Sequence, residues 1–175
     1  GLLLRERDYE VRCCEADHNV PAYSFCLTEL DRPGIFNIKR AVQLGIPKGK
    51  LYKQLQSGKD IVFNGDVVKS KDVVGPRRPG RKIGISGDTR PTEKLCKFFK
   101  NCDLLVFEST YGNELRHKAI ENFHATATEA ATLARQSGVR KLVLTHFSTR
   151  YRNSDQLLAE ARLIHENVED AIDLK

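Results

Sequence analysis

The stretch RKIGISGDTRP, residues 81–91, carries an apolar run that breaks on Gly87, lifts a lone carboxylate, Asp88, to its end, and turns away on Thr89, Arg90 and Pro91. A short apolar run bounded by glycine reads as a buried strand, and in open α/β sheets the functional groups collect where strands end and loops begin. Three other runs share the form: YEVRCCEADH (9–18) ends on His18, DLLVFEST (103–110) passes through Glu108, and KLVLTHF (141–147) reaches His146. Four strand-like runs, each delivering a chemically able side chain, are the main clue to both fold and function.

Helical patterns alternate with the last three runs. TEKLCKFFKN (92–101) sets Leu95, Phe98 and Phe99 on one face. TATEAATLARQSG (126–138) opens with a T-x-x-E capping box, Thr126 and Glu129, and closes on Gly138. SDQLLAEARLIHENV (154–168) starts at an N-cap-like Ser154, with apolar positions 157, 158, 161 and 164 at helical spacing. From residue 81 onward this alternation predicts an α/β unit with adjacent strands.

Residues 34 to about 80 behave differently. NIKRAVQLG and KGKLYKQLQSG predict two helices ended by Gly45 and Gly58, and DIVFNGDVVKS predicts a hairpin turning at Asn64-Gly65. Helix, helix and hairpin with few large apolar residues suggest an arm holding little core of its own. The charge is concentrated here too. The chain's net charge is +6, but residues 32–82 hold thirteen lysines and arginines against three aspartates, a net +10, leaving −4 for the remainder. Scattered lysines usually mean a solvated face; an excess confined to one third of the chain points to a polyanionic partner such as nucleic acid.

The 175 residues fit one domain able to bury a core. Five cysteines without a C-x-x-C pair indicate neither a disulfide framework nor a thiolate zinc site, and read as small buried residues or bystanders in a reducing compartment. No apolar run approaches the roughly 20 residues of a membrane helix, and GLLLRERDYE is charged too early for a signal peptide, so the expectation is a soluble, cytoplasmic protein with no membrane partner. A start at Gly1 in mid-pattern and the absence of methionine suggest a piece of a longer protein.

Each candidate alone reads more readily as a hydrogen-bonded structural residue; the set is what points to chemistry. His18, Asp88 and His146 combine two imidazoles and a carboxylate, donors that suit zinc in hydrolytic sites and also accept manganese or iron. An aspartate can bridge two metals, and paired metals clamp both oxygens of a phosphoryl displacement. His124, before a helix, can serve as a general acid with Glu108 as its orienting partner, or is a plain surface residue. His117 and His165 sit among charged neighbours and are expected to face solvent. Three ligands are too few for two metals.

Taken in order, ADHNVPAYSF, DRPGIFN, LGIPKGKLYKQLQSGK, GRKIGISGDTRP, LLVFESTY, FHATATEAA and LTHFSTRY resemble ribonuclease Z, the transfer-RNA 3′-end-processing endonucleases of the metallo-β-lactamase superfamily, across essentially all 175 residues. The resemblance implies the C-terminal half of an αβ/βα sandwich over residues 1–175, with 34–76 as an inserted basic exosite arm. It implies metal ligation by His18, Asp88 and His146, with Asp88 bridging two Zn2+ ions (Mn2+ or Fe2+ being compatible), and proton donation by His124 near Glu108. Ser148 and Arg150 would meet substrate phosphate, and Lys48, Lys50, Lys53 and Lys59 of the arm would hold RNA. Two departures stand out. The family's H-x-H-x-D-H motif is absent, and the arm's usual G-P-L-Y reads Gly49-Lys50-Leu51-Tyr52.

The implied activity is zinc-dependent removal of the 3′ trailer from precursor tRNA, leaving a 3′ hydroxyl, in a homodimeric protein; this chain alone is expected to be inactive. Two alternatives remain open. One is another hydrolase of the superfamily, a phosphodiesterase or arylsulfatase-like enzyme, which would not need the basic arm. The other is a catalytically inactive RNA-binding fragment.

Overall fold

A computed structural model describes residues 1–172 of the chain. The chain divides into two compact units, one formed by Gly1–Glu29 with the segment from Arg81 onward, the other by Leu30–Gly80. In chain order, the first unit opens with strands β1 (Leu2–Arg5), β2 (Tyr9–Glu15) and β3 (Tyr23–Glu29). The second holds helices α1 (Ile38–Gln43) and α2 (Lys50–Gln56) and strands β4 (Ile61–Phe63) and β5 (Asp66–Val68). The first then resumes with β6 (Lys82–Ile85), α3 (Glu93–Phe98), β7 (Leu104–Glu108), α4 (Arg116–Glu121), α5 (Ala127–Gln136), β8 (Leu142–Thr145), α6 (Asp155–Arg162) and β9 (Val168–Asp170).

The larger unit is built on a seven-stranded sheet of order β1-β2-β3-β6-β7-β8-β9. The four strands from β6 to β9 are parallel and adjacent, while β1, β2, β3 and β6 pair antiparallel. Helical crossovers explain the parallel half, since parallel neighbours need a connection long enough to return to the same sheet edge. On one face, Cys26, Leu105, Phe107, Leu142 and Leu144 are buried with Leu95 and Phe99 of the α3 segment, the alanines of α5, and Leu157 and Ala161 of α6. Gly84 is what lets Phe99 reach the sheet: a Cβ there would stand 2.5 Å from its ring. Tyr23, Phe25 and Ile85 lie on the opposite face and are 51%, 40% and 50% exposed, Phe25 paired directly with Ile85.

The helix signals hold in detail at α5, where Thr126 and Glu129 form a reciprocal capping box. At α6 they do not. The Ser154 side chain makes no cap bond; its hydroxyl donates to Asp170 at 2.6 Å, tying the helix start to β9. All five cysteines are free thiols, Cys26 and Cys102 buried.

The Leu30–Gly80 unit corrects the expectation of little core. Ala41, Ile46, Leu55, Ile61, Val68 and Val73 are buried together, with Phe36, Leu44, Leu51, Tyr52, Phe63 and Val74 packed against them. Short helices hide this in the sequence, because each contributes only one fully buried side chain, Ala41 or Leu55. The hairpin turns at Asn64 and Gly65 with φ of 52° and 88°, the positive values that a two-residue type I′ turn requires. Eleven lysines and arginines against four aspartates leave this unit at +7. Arg81 and Lys82 belong to the larger unit and are engaged there, Arg81 with Asp103 and Lys82 with the carbonyls of Phe98 and Lys100.

Candidate metal and catalytic site

The turn that follows β6 explains why the chain stops on Asp88 and swings away. Gly87, at φ +61°, reverses the backbone after the buried Ser86. Thr89 then faces inward: its N–H donates to Glu108 Oε1 at 3.0 Å, and its hydroxyl accepts the N–H of Asp17 at 2.9 Å. The N–H of Arg90 donates to the carbonyl of Asp17 at 2.8 Å, closing a two-residue antiparallel bridge. That bridge draws the loop after β2 against the loop after β6, setting His18 beside Asp88.

His124 and His146 arrive from other strand and helix ends. His146 follows β8 at φ 56°, and Phe123, immediately before His124, has φ 59°. Positive φ in a non-glycine residue is uncommon, and strained backbone of this kind persists where the surroundings over-determine it. The rings of His124 and His146 stack with centroids 5.2 Å apart, and His18 and His124 lie 5.1 Å apart. His146 Nε2 is 3.6 Å from Asp88 Oδ2.

Hydrogen-bond partners fix which nitrogen each ring offers. His18 Nδ1 donates to the carbonyl of Phe123 at 2.9 Å. His124 Nδ1 donates to Glu108 Oε1 at 2.8 Å. Each ring is thus held at Nδ1, leaving Nε2 as the outward atom, the arrangement typical of imidazoles that meet a metal or reacting group. Glu108 itself is 1% exposed and is fully occupied as an acceptor, taking the N–H groups of Thr89 and Thr110, the Thr110 hydroxyl and His124.

Among the described residues, two groups bring their ligand atoms within 4.8 Å of one another: His18–Asp88–His124 and Glu108–His124–His146. His18 and His146 fall in different groups, with His124 common to both. Because the Glu108 oxygens already serve N–H and O–H donors, the second group is a hydrogen-bonded network, and the donor set open to a cation is imidazole Nε2 atoms around Asp88. Such a set suits a borderline divalent ion.

Sequence reasoning passed over several supports. Glu129 reads as a cap, yet its carboxylate also receives Arg90 at 2.8 and 2.6 Å and Arg116 at 3.1 Å. Burial pushes the Glu129 carboxyl up, but the bonds from Arg90 and the Thr126 N–H, with the charges of Arg90 and Arg116, outweigh it and hold the group below the usual carboxylate range. Arg90 also donates to the carbonyl of His124. The signal lay in the opening stretch itself, where an arginine follows the turn.

Arg150 lies over the Tyr111 ring, 5.2 Å from its centroid, and donates to Ser148 Oγ at 3.0 Å; Tyr111 in turn meets His124 edge-on. Lys48, Lys50, Lys53 and Lys59 are exposed in the Leu30–Gly80 unit and make no ion pair among the described residues. His117 is exposed, as expected. His165 is not simply solvent-facing: its Nε2 is buried with no hydrogen-bond partner among the described residues, and that burial lowers its pKa.

Strand-end imidazoles around an aspartate, on a mixed sheet, form a donor set that suits a divalent cation. Residues 55–147 match the model of the beta-lactamase superfamily domain, and the chain belongs to that superfamily. It is 46% identical over 172 residues to the ribonuclease Z of Nitrosopumilus maritimus, an alignment covering 98% of this chain and 58% of the relative. The ribonuclease Z of Methanosarcina acetivorans is 42% identical over 175 residues, 99% of this chain and 57% of the relative. Human tRNase Z, short form, shares the fold at a TM-score of 0.58 and 24% identity, covering 99% of this chain and 44% of that one. The chain therefore spans a little over half the length of the ribonuclease Z relatives it matches.

Proposed function

We propose that the chain forms part of a metal-dependent endoribonuclease that removes the 3′ trailer from precursor tRNA and leaves a 3′ hydroxyl. The observation that carries this reading is the set of imidazoles held at Nδ1 and open at Nε2 around Asp88, in a chain whose matched relatives are named ribonuclease Z. The activity belongs to the whole protein, of which these residues supply part of the site.

His18, Asp88 and His146 would hold the metal, with zinc the ion their donor set fits best. When bound, such ions neutralise charge on the phosphoryl oxygens and activate water. The chain's own residues supply the rest. Glu108 holds His124 through Nδ1–H and would stabilise its imidazolium form, whose second proton, at Nε2, can pass to the departing 3′ oxygen and leave the ring neutral. Ser148 and Arg150 receive a substrate phosphate beside Tyr111. Lys48, Lys50, Lys53 and Lys59 engage the tRNA backbone by charge and shape. A homodimer working in the cytoplasm completes the reading.

The test is incubation of the complete protein with a 3′-extended precursor tRNA and mapping of both new ends. A tRNA ending in a 3′ hydroxyl and a trailer beginning with a 5′ phosphate support the proposal. An intact precursor in the presence of zinc contradicts it.

A further inference from the structure

Thr110 stands between His146, one of the two stacked histidines, and the buried carboxylate of Glu108. Its Oγ1 lies 2.8 Å from Glu108 Oε2 and 2.8 Å from His146 Nδ1. A hydroxyl carries one proton but can accept as well. Each Glu108 oxygen already receives a backbone N–H, from Thr89 on one side and Thr110 on the other, which marks the carboxylate as an acceptor. The hydroxyl proton therefore goes to Glu108, and the Thr110 oxygen is left to accept from His146 Nδ1–H.

We propose that Thr110 is a positioning residue: one hydroxyl that fixes the tautomer and ring angle of His146 and ties it to the carboxylate that fixes His124. The consequence is a shared foundation. His124 rests on Glu108 directly and His146 rests on it through Thr110, so both rings of the 5.2 Å stack are held at Nδ1 by one carboxylate. The device also explains how His146 keeps its left-handed backbone, since the bond it donates to Thr110 and the Ser148 N–H to the Thr110 carbonyl, at 3.1 Å, hold the residues around it.

The inference deepens the proposed metal-dependent reading and rests on it only for its catalytic consequence; the bonding pattern can be measured without metal or RNA. Side-chain ¹⁵N spectra of the metal-free, uniformly labelled chain, with each histidine assigned by its own substitution, report which ring nitrogen bears the proton. The wild-type chain is expected to show His146 protonated at Nδ1 and bare at Nε2. In Thr110→Val, which keeps the shape and loses the hydroxyl, His146 should shift to the Nε2–H tautomer that a free neutral histidine side chain prefers, while His124 stays as it was. Thr110→Ser should restore the wild-type pattern.

Wild-type His146 protonated at Nε2 would overturn the proposal, and that spectrum requires no variant to fold. So would a Thr110→Val chain with a wild-type amide spectrum and an unchanged His146. For the complete protein, Thr110→Val should lower metal affinity about 10- to 100-fold, with Thr110→Ser close to wild type. Tautomer loss without cleavage in any variant would leave this proposal standing and count against the ribonuclease reading alone.

Discussion

Arg90 sets both terminal guanidinium nitrogens on the carboxylate of Glu129, Nη1 to Oε2 at 2.8 Å and Nη2 to Oε1 at 2.6 Å, with each side chain 14% exposed. The pair joins the turn after β6 to the first turn of α5, and Arg90 also reaches the carbonyl of His124. Paired, charged and mostly shielded groups of this kind are strongly felt when one partner is removed, because the other loses its main counter-charge; on Glu129 only the more exposed Arg116 would remain. Arg90→Ala should lower unfolding free energy by about 3 kcal/mol. Arg90→Lys should recover only part of it, since an ammonium cannot make the two-pronged contact. Urea denaturation of the three proteins checks both statements.

The same pair sets a pH dependence. The Glu129 carboxyl is held below its ordinary value of 4.5, so the folded state binds its proton less readily than the unfolded chain does. Its contribution is complete above that ordinary value and is lost as the pH falls through the lower folded one. Glu129→Gln should be less stable than the parent near neutrality, and the difference should shrink below about pH 4. Denaturation curves collected from neutral to acid pH provide the comparison.

Gly84 is open to a packing test. A Cβ there meets Phe99 at 2.5 and 2.8 Å and Leu105 at 2.9 Å, all in the buried core. Gly84→Ala should destabilise by about 1 to 3 kcal/mol, the usual range for overpacking. Gly84→Ala with Phe99→Leu should recover part of the loss. Thermal melts of the single and double variants decide it.

Much of this architecture was legible because it rests on local rules. The β6–β8 part follows from apolar runs alternating with helical patterns, and the Thr126–Glu129 box and the Asn64-Gly65 turn are set by residues close in sequence; β9 does not, since the helical pattern read over 154–168 stops at Arg162 and Val168 opens the strand. What escaped depends on distant partners. β3 lacks a clean apolar run, alternating exposed Tyr23 and Phe25 with buried Ser24 and Cys26, and it becomes a strand by pairing with β2 and β6; β1 is a short, exposed run of leucines whose place is set by pairing with β2. At the site, His18, Asp88, Glu108, His124 and His146 could be named from strand and helix ends. Thr89, Arg90 and Thr110 could not be given roles, because their contacts cross 72, 39 and 36 residues.

RNA binding by the chain should fall steeply with salt, since each neutralised phosphate releases counterions. Alanine at Lys48, Lys50, Lys53 or Lys59 should reduce the salt slope by about 1 per residue while weakening binding similarly for unrelated tRNA sequences. Mobility shifts across a salt series measure the slope. A slope unchanged by all four substitutions would remove these lysines from the interface.

In the complete protein, His124→Ala should reduce turnover of precursor tRNA by about 10²- to 10⁴-fold, the range of general acid catalysis, with little change in RNA affinity. Single-turnover cleavage against pH separates the two effects. Loss of binding with unchanged cleavage of bound RNA would assign His124 to substrate contact instead.

The most direct measurement is titration of the labelled chain with zinc while following the histidine ring nitrogens. Nε2 of His18 and His146 should move on metal addition with their Nδ1 protons retained, and Asp88→Asn should abolish the change. Zinc shifts confined to His117 and His165, or identical shifts in the Asp88→Asn chain, would contradict a metal site built around Asp88.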